Sequence, residues 1–413
     1  MLQDTINKKG SSLFNSRVLL FLISQNLSLF GSSVVGFAII WHITLETSSG
    51  TWLMLGTLTT MIPQVLVSLW GGVWADRYNR KHLIMLSDTF VALATLVLAL
   101  FYIAGFREIW LLLAISAVRA LGSGVQSPAV NAIYPQLVPP EGLTRVQAVN
   151  QSLSSALMLL APAAGGLLLG WLDISWAFFV DVITASLAVG ILAFIKIEKN
   201  PGIKVNNTVF KDLKEGFSYT FSHPLLKRIV LCYGFSFFLM TPAIILTPLQ
   251  VGRSFGGDVW RLTVNEMVWT IGSLVGGILI SLHGDFKDKV RMIALSLGAF
   301  GILFALLGLA PNFVLYLCIM GTAGLFLPLL ITSETVFVQE QTLEDMLGRV
   351  FSILQIVSVS AMPIGIMLFG PLADAVSVES ILILTGILLV LIAVWYERSS
   401  KRVEFPIDKN RVA

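Results

Sequence analysis

Ionisable side chains inside long apolar stretches are the residues of this sequence best suited to chemistry. Such groups are costly in hydrocarbon, so they face a partner or a water-filled path, and they are typical of proton relays and ion routes. The chemistry that they favour is therefore the binding and release of protons. One basic residue and four acids lie in such stretches: Arg119, Asp88, Asp181, Glu266 and Glu334.

These residues compete for a role in proton coupling. We expect Glu266 to carry the proton, because it lies inside an apolar run with apolar neighbours. Asp181 and Glu334 are the alternatives, and a structural hydrogen-bonding role is an equally good interpretation of Asp181. Asp88 is more typical of a solvated or packing residue. Arg119 has two interpretations, a part in proton transfer or a structural pair with an acid.

The stretches that contain these residues are long enough to cross a membrane. Hydrophobic residues make up 56% of the 413 residues and charged residues only 12%, whereas about a quarter of a soluble protein is charged. Twelve apolar runs have the roughly 20 residues that a spanning helix needs. They do not alternate as barrel strands do, and backbone groups in lipid must be paired within the segment. The sequence therefore predicts an all-α membrane protein with twelve transmembrane helices.

The distribution of basic residues predicts the orientation. Most of the 27 Lys and Arg residues lie at the amino end, in the carboxyl tail or after the even-numbered runs. By the positive-inside rule, we expect both termini to be cytoplasmic. The net charge of +3 reflects this topology, and we expect no nucleic-acid partner.

The two halves of the sequence repeat each other in the same order. Gly124–Pro128 in the fourth run has a counterpart in Gly324–Pro328 of the tenth, and Gly72 has one in Gly277. Such repeats are typical of transporters whose substrate site lies near the middle of the membrane. We expect a six-helix half over residues 1–196, a cytoplasmic linker with an amphipathic helix over 197–224, a second six-helix half over 225–397 and a tail over 398–413.

A charged loop joins the second and third runs. One glycine, one acid and three basic residues stand at fixed spacing in it: Gly72, Asp76, Arg77, Arg80 and Lys81. This spacing resembles the loop between the second and third helices of the major facilitator superfamily, which reads Gly, three residues, Asp-Arg, one residue, Gly-Arg-Arg/Lys. Asn79 replaces the second glycine, and we expect it to adopt the left-handed backbone that Asn tolerates. The resemblance implies a secondary transporter with two pseudo-symmetric six-helix halves.

The same resemblance implies a gate at this loop. Asp76 would hold the cytoplasmic gate shut by pairing with an arginine and with the amino end of the eleventh helix. Arg349 is the candidate partner there, because its charge and the helix dipole both favour a carboxylate. Gly72 would permit close helix contact. Arg77 and Arg80 complete the motif, with a role as cytoplasmic anchors as the alternative.

The fifth run suggests the direction of transport. Pro162, Gly165 and Gly166 resemble the Gly-Pro-x-x-Gly-Gly antiporter motif of superfamily exporters, with Ala161 in place of the first glycine. Proline bends a helix and small residues let a neighbour approach closely, so an ordinary helix contact is the alternative interpretation. The sequence has no Walker-type phosphate loop, and an ion gradient is therefore the expected energy source.

Polar stretches of the first half resemble the bacterial macrolide-efflux group of the superfamily. They are Ser24–Ser28, Ser127–Ala132, Asn150–Leu153 and Val180–Val182. The resemblance implies proton-driven export of amphipathic drugs through the inner or plasma membrane of a bacterium. Relatives in this broad group also export siderophores and other metabolites, so the substrate stays open.

The resemblance also implies a substrate cavity lined by the first, fourth, seventh and tenth helices. Polar side chains within these apolar helices and their neighbours would bond to substrate or link helices. Aromatic and methionine side chains of the seventh helix would form an adaptable apolar wall, or face lipid and other helices. The candidates are Gln25, Asn26, Gln126, Asn131, Gln151, Phe237 and Met240.

Taken together, these patterns predict a multi-pass antiporter, not an enzyme, that exports amphipathic small molecules in exchange for protons. Its partners are the substrate, protons and the lipid bilayer, and we expect a monomer. The four histidines are scattered, so we expect no metal, cofactor or catalytic residue. The alternatives are an exporter of a siderophore, lipid or other metabolite, an importer or symporter, and a receptor or scaffold that no longer transports.

Overall fold

The computed structural model describes residues 15–196, 209–283, 288–343 and 346–401. Within these residues, twelve helices are long and apolar enough to cross a membrane, and no strand occurs. The prediction of an all-α protein with twelve transmembrane helices is therefore confirmed. The amino end, part of the predicted linker and most of the predicted tail lie outside the described residues.

The first six helices alternate with short connections. They are α1 (Ser16–Thr47), α2 (Gly50–Arg77), α3 (Arg80–Ile103), α4 (Ile109–Leu137), α5 (Pro140–Trp171) and α6 (Ser175–Phe194). Eight more follow: α7 (Val209–Ser222), α8 (Pro224–Ile245), α9 (Thr247–Ser254), α10 (Val259–His283), α11 (Lys289–Leu307), α12 (Phe313–Gln341), α13 (Leu347–Ala375) and α14 (Val378–Lys401). Helices α8 and α9 together form one span, and α7 lies where the sequence predicts an amphipathic helix.

Contacts group the described residues into two compact units. The first contains residues 15–196 and Val251–Met267, and the second contains residues 209–250 and 268–401. The beginning of α10 therefore belongs to the first unit, while the rest of that helix belongs to the second. The predicted boundaries place the whole of α10 in the second half of the chain. They stay a prediction.

Helix α1 is central to the first unit. It packs along α5 and α6, while α2 packs along α4 and α3 packs against α4 and α6. One apolar cluster surrounds the beginning of α1, where Phe21 meets Tyr134 edge to face at 5.3 Å. A second cluster surrounds the later turns of α1 and includes the contact of Tyr102 with Phe178 at 5.4 Å. The polar residues of α1 lie between these two clusters.

The second unit is built from the later helices. Helix α11 packs along α12 and α14, α8 packs along α13 and α14, and α7 lies against α13. The Glu215 carboxylate of α7 forms an ion pair with the Arg349 guanidinium at the beginning of α13, with nitrogen and oxygen 3.0 Å apart. The backbone of Leu343 also donates a hydrogen bond to the Tyr219 hydroxyl of α7, at 3.4 Å. These contacts attach α7 to the unit.

Glycine residues allow equivalent helix pairs in the two units to touch through their backbones. A Cβ added at Gly71 of α2 would lie 2.6 Å from the carbonyl oxygen of Gly124 in α4. In the second unit, a Cβ at Gly276 of α10 would collide with the backbone of α12, and one at Gly324 of α12 would collide with α10. Backbone contact of this kind is typical of small residues in membrane helices.

Gly71, and not its neighbour Gly72, contacts α4 in this conformation. A Cβ at Gly72 would meet no atom within 4 Å, and the same holds for Gly277. Helices have 3.6 residues per turn, so successive residues point in directions that differ by about 100°. Gly71 faces α4 and Gly72 does not. The role of Gly72 in the gate stays a prediction.

This pair of glycines provides a matched test. We expect Gly71→Ala to lower the free energy of unfolding by about 1–3 kcal/mol, because the added methyl group overpacks the α2–α4 contact. Gly72→Ala is the control and should leave stability unchanged. Thermal melting of the purified protein in detergent measures both, and equal melting temperatures for the two variants would show that the contact is not as close as described.

Candidate functional site

A row of serines on α1 connects two buried acids. Ser24, Ser28 and Ser32 are spaced four residues apart, so they lie on one face of the helix. Ser28 donates a hydrogen bond to Asp88 of α3 at 2.7 Å, and Ser32 donates one to Asp181 of α6 at 3.1 Å. Ser24 donates to a backbone carbonyl of α6 at 2.9 Å. One helix face thus holds both acids in the apolar interior of the first unit.

Asp181 is part of a buried ion pair. The Arg119 guanidinium of α4 donates to the Asp181 carboxylate and to the Thr95 hydroxyl of α3. Thr95 in turn donates to Asp181 at 2.9 Å. Arg119 and Asp181 are both buried, and a buried charge is tolerated when it is paired and hydrogen-bonded. The structure thus pairs Arg119 with an acid, which is the second of its two sequence-based interpretations.

Gly31 explains how α1 approaches this ion pair. A Cβ at Gly31 would lie 2.9 Å from the Cα of Asp181, and it would collide with the Thr184 side chain. Glycine therefore permits the contact between α1 and α6 that brings Ser32 to the carboxylate.

Asp88 is buried and has no cation as a partner. The residue is only 3% exposed. Of its two interpretations, a solvated residue is therefore wrong and a packing residue remains. One oxygen, Oδ1, accepts hydrogen bonds from Ser28 and from Gln126 of α4, the latter at 2.6 Å. The other, Oδ2, has no hydrogen-bond partner among the described residues. Asp88 precedes Thr95 by seven residues, and this spacing places both on one face of α3.

Glu334 is the corresponding isolated acid of the second unit. The residue is 4% exposed in α12, and none of the described lysines or arginines forms an ion pair with it. Its Oε2 atom has no hydrogen-bond partner within the described ranges. The Tyr233 side chain of α8 lies near this carboxylate. The second unit thus contains an acid whose charge has no nearby compensation.

Glu266 lies near the beginning of α10, in the part that belongs to the first unit. It is half-buried. The preceding residue, Asn265, is fully buried, and its side-chain amide has no hydrogen-bond partner in the described part of the chain. This turn therefore carries two polar side chains, of which Asn265 is buried and Glu266 half-buried.

Both glycines of the α5 motif contact another helix. Gly165 faces α1, where a Cβ would lie 3.4 Å from the carbonyl oxygen of Val34. A Cβ at Gly166 would collide with Thr263 of α10. Pro162 lies inside α5, one turn before the glycines. The motif therefore brings α5 close to two different helices of the first unit.

The second unit has a similar contact on α13. A Cβ at Gly365 would lie 2.8 Å from the Cβ of Thr241 in α8. At the distances from Pro363 that match Gly165 and Gly166 after Pro162, the sequence has Ile366 and Met367 instead of glycines. Gly365 supplies the helix contact from one position earlier, so the two units resemble each other more than the sequence suggests.

The charged loop between α2 and α3 is held by Arg80. Its guanidinium lies 3.6 Å from the Asp76 carboxylate, and it donates to the carbonyl oxygens of Ala75 at 2.9 Å and Ala132 at 2.7 Å. Arg80 thus joins the ends of α2 and α4. Arg77 lies exposed in the last turn of α2. The predicted pairing of Asp76 with Arg349 stays a prediction.

Asn79 has a different role from the one predicted. Its φ of −68° and ψ of 112° are extended, not left-handed. Its side chain caps α3 by accepting hydrogen bonds from the backbones of Lys81 at 3.0 Å and His82 at 3.4 Å. Asparagine replaces glycine in this loop because the position is a helix N-cap, which favours a side-chain acceptor.

Three of the predicted cavity residues take part in contacts between or within helices. Asn26 donates to Asn150 of α5 at 3.1 Å, Gln25 donates to the adjacent Ser24 at 3.3 Å, and Gln126 donates to Asp88. These contacts match the helix-linking alternative for polar residues. Gln25 and Asn26 also lie on α1 next to the serine row.

The remaining cavity candidates differ in exposure. Asn131 and Gln151 are exposed. Phe237 is half-buried beside Tyr233, with ring centroids 4.5 Å apart, and Met240 is only 1% exposed. Met240 is therefore packed inside the second unit in this conformation, whereas the two polar residues are accessible.

The arrangement favours proton binding over covalent chemistry. Each unit contains a buried carboxyl group without a cation, and the first unit also contains a neutralised ion pair. Within the described residues, no group of three His, Cys, Asp or Glu side chains is placed to hold a metal ion. Twelve membrane helices with buried acids define a multi-pass secondary transporter.

Comparison with known proteins agrees with this class. A crystal structure of the nucleoside transporter NupG superposes with a TM-score of 0.72 over 93% of this chain and all of that one, at 13% identity, which establishes the fold. The chain matches the family described as transmembrane secretion effector over residues 13–406. It belongs to that family of the major facilitator superfamily, so the resemblance in the charged loop is confirmed.

Similar proteins that carry out efflux narrow the class of transporter further. Macrolide efflux protein A of Streptococcus pyogenes is 29% identical over 377 residues, which cover 90% of this chain and 92% of that protein. The enterobactin exporter EntS of Shigella boydii is 24% identical, over 91% of each chain. The protein is thus an efflux-type transporter of the plasma membrane, and proteins of this family are transporters, not enzymes.

The ion pair of the first unit can be tested by removing one charge or both. We expect Asp181→Asn to lower the free energy of unfolding by about 3–5 kcal/mol, because Arg119 is left buried without its counter-charge. The double variant Arg119→Met, Asp181→Leu should be more stable than Asp181→Asn alone. Thermal melting in detergent measures both, and a double variant less stable than the single one would contradict the pairing.

Proposed function

We propose that this protein exports amphipathic small molecules, such as macrolide-like drugs, in exchange for protons by alternating access. The similarity to macrolide efflux protein A supports the substrate class. The efflux proteins among the relatives support the direction of transport, and Gly165 and Gly166 pack α5 against α1 and α10. Both termini are assigned to the cytoplasm from the basic residues, and the transporter is taken to act as a monomer.

The observation that carries the proton coupling is the burial of Glu334 without a cation. An isolated carboxylate in a water-excluded site is costly, whereas the protonated acid is not. When the site opens to water, the charged form is hydrated and the proton can leave. Glu334 therefore binds a proton in one conformation and releases it in the other. Glu266 is the alternative carrier, because it is half-buried beside the buried Asn265.

Coupling follows from the different affinities of the two conformations. A ligand shifts a conformational equilibrium only if it binds one state better than the other. If the drug and the proton bind opposite conformations better, binding of one disfavours binding of the other. Proton entry down its gradient then drives drug export. Asp76 and Arg349 would stabilise the state that is closed towards the cytoplasm, and the ion pair of Arg349 with Glu215 would then exchange with this contact.

Siderophore export is a second candidate function. The enterobactin exporter is similar over 91% of each chain, at 24% identity, which supports a substrate of that kind as a second candidate. A siderophore and a macrolide are both larger than a simple metabolite. The two functions therefore need to be separated by transport measurements.

The first experiment measures export of a macrolide from cells that express the protein, with and without an uncoupler. We expect uncoupler-sensitive efflux that Glu334→Gln reduces to the level of cells without the transporter, since the amide cannot bind or release a proton. Glu340→Gln is the matched control, because Glu340 lies on the same helix, is half exposed and pairs with Lys289. It should keep efflux.

The outcomes separate the alternatives. Efflux that continues after the gradient is collapsed would exclude proton coupling. Loss in Glu266→Gln with normal efflux in Glu334→Gln would transfer the carrier role to Glu266. If the wild type moves a catecholate siderophore but no macrolide, the second candidate function replaces the first.

A further inference from the structure

Asp88 is the buried acid that the proposed mechanism does not use. It lies where α1, α3 and α4 meet, and it touches two of these helices through Ser28 and Gln126. We propose that Asp88 is a second proton-binding site of the transporter, located in the first unit. This inference rests on proton-coupled export and adds a site to it.

The hydrogen bonds of Asp88 are distributed unevenly between its two oxygens. Oδ1 accepts from the Ser28 hydroxyl at 2.7 Å and from the Gln126 amide at 2.6 Å. Oδ2 is buried and has no partner among the described residues. A charged carboxylate would need donors at both oxygens, since each carries lone pairs. In the neutral acid the proton occupies Oδ2, and a neutral O–H without a partner costs less in a buried site than a charged oxygen without one.

The charges around Asp88 favour the same state. Arg119, which is the only described cation buried in this unit's network, is bound to Asp181 and Thr95. Thr95 lies two helical turns from Asp88, which corresponds to about 10 Å. The Asp181 charge on α6 is neutralised by Arg119, so this ion pair supplies no net counter-charge to Asp88. The spanning part of α2 adds no ionisable group before Asp76 at its end.

The serine row links this site to the rest of the unit. Ser28 and Ser32 lie one turn apart on α1, so this helix contacts both the proton site at Asp88 and the fixed ion pair at Asp181. Hydrogen bonds to a charged acceptor are shorter and stronger than bonds to a neutral one. Loss of the proton therefore tightens the contact of α1 and α4 with α3. Gln25 and Asn26 lie on α1 beside this contact, which couples proton binding to predicted substrate residues.

Infrared difference spectroscopy tests the protonation state without any transport. The spectrum of the wild type minus that of Asp88→Asn in lipid at neutral pH should contain the C=O band of a protonated carboxylic acid. The matched difference for Asp181→Asn should contain carboxylate bands instead. Carboxylate bands in the Asp88 difference would overturn the proposal.

A second variant, Ser28→Ala, keeps the acid itself, so the test does not depend on Asp88→Asn folding correctly. In Ser28→Ala the C=O band should persist and move to higher frequency, because Oδ1 loses one of its two donors. An unchanged band position would show that Ser28 does not bond to the acid and would overturn the proposed site.

Transport in proteoliposomes tests the role in coupling. We expect Asp88→Asn to keep exchange of labelled for unlabelled macrolide and to lose uptake driven by a proton gradient, while Asp88→Glu restores it. Equal loss of both activities would assign Asp88 a structural role only. A wild type that exchanges macrolide but ignores the gradient would refute the proposed function, and the infrared result would stand apart from that failure.

Discussion

Hydrocarbon offers no counter-charge, so every charge inside a membrane protein must be neutralised by another part of the chain or by a proton. In the first unit, Arg119 meets this constraint with Asp181, and Thr95 and Ser32 satisfy the remaining oxygen positions. Among the described residues of this network, Arg119 is the one buried cation and it is already paired, so a proton is what would neutralise Asp88. Asp181 is therefore held in a structural ion pair, whereas Asp88 has no cation among the described residues to pair with.

Close backbone packing is the second requirement of the architecture. Side-chain hydrogen bonds as short as those from α1 to the acids require helices that nearly touch, and glycine supplies this at Gly31, Gly71 and Gly124. The same arrangement recurs between α10 and α12 of the second unit. Membrane helices have no hydrophobic driving force for association, so packing of small residues and interhelical polar contacts must provide it. The polar network and the glycine contacts thus depend on each other.

The two units share their packing but differ in how they hold charge. The first unit surrounds its acids with serine, threonine, glutamine and an arginine, whereas Glu334 in the second unit has a tyrosine as its neighbour and no cation. The fixed ion pair suits a structural role, and the uncompensated acid suits the proton coupling proposed above, in which the affinity for protons differs between conformations.

Hydropathy alone determined the twelve spans, and the spacing of charged residues between α2 and α3 determined the superfamily, since both depend on residue order along the chain. The facing direction of each residue depended on tertiary structure. The sequence allows Asp88 to be a solvated or a packing residue, and α1 and α4 bury it. Gly71 and Gly72 are equally small, and it is Gly71 that faces α4. A rotation of about 100° per residue decides which side chain meets a neighbour, and only the packing of the helices fixes that rotation.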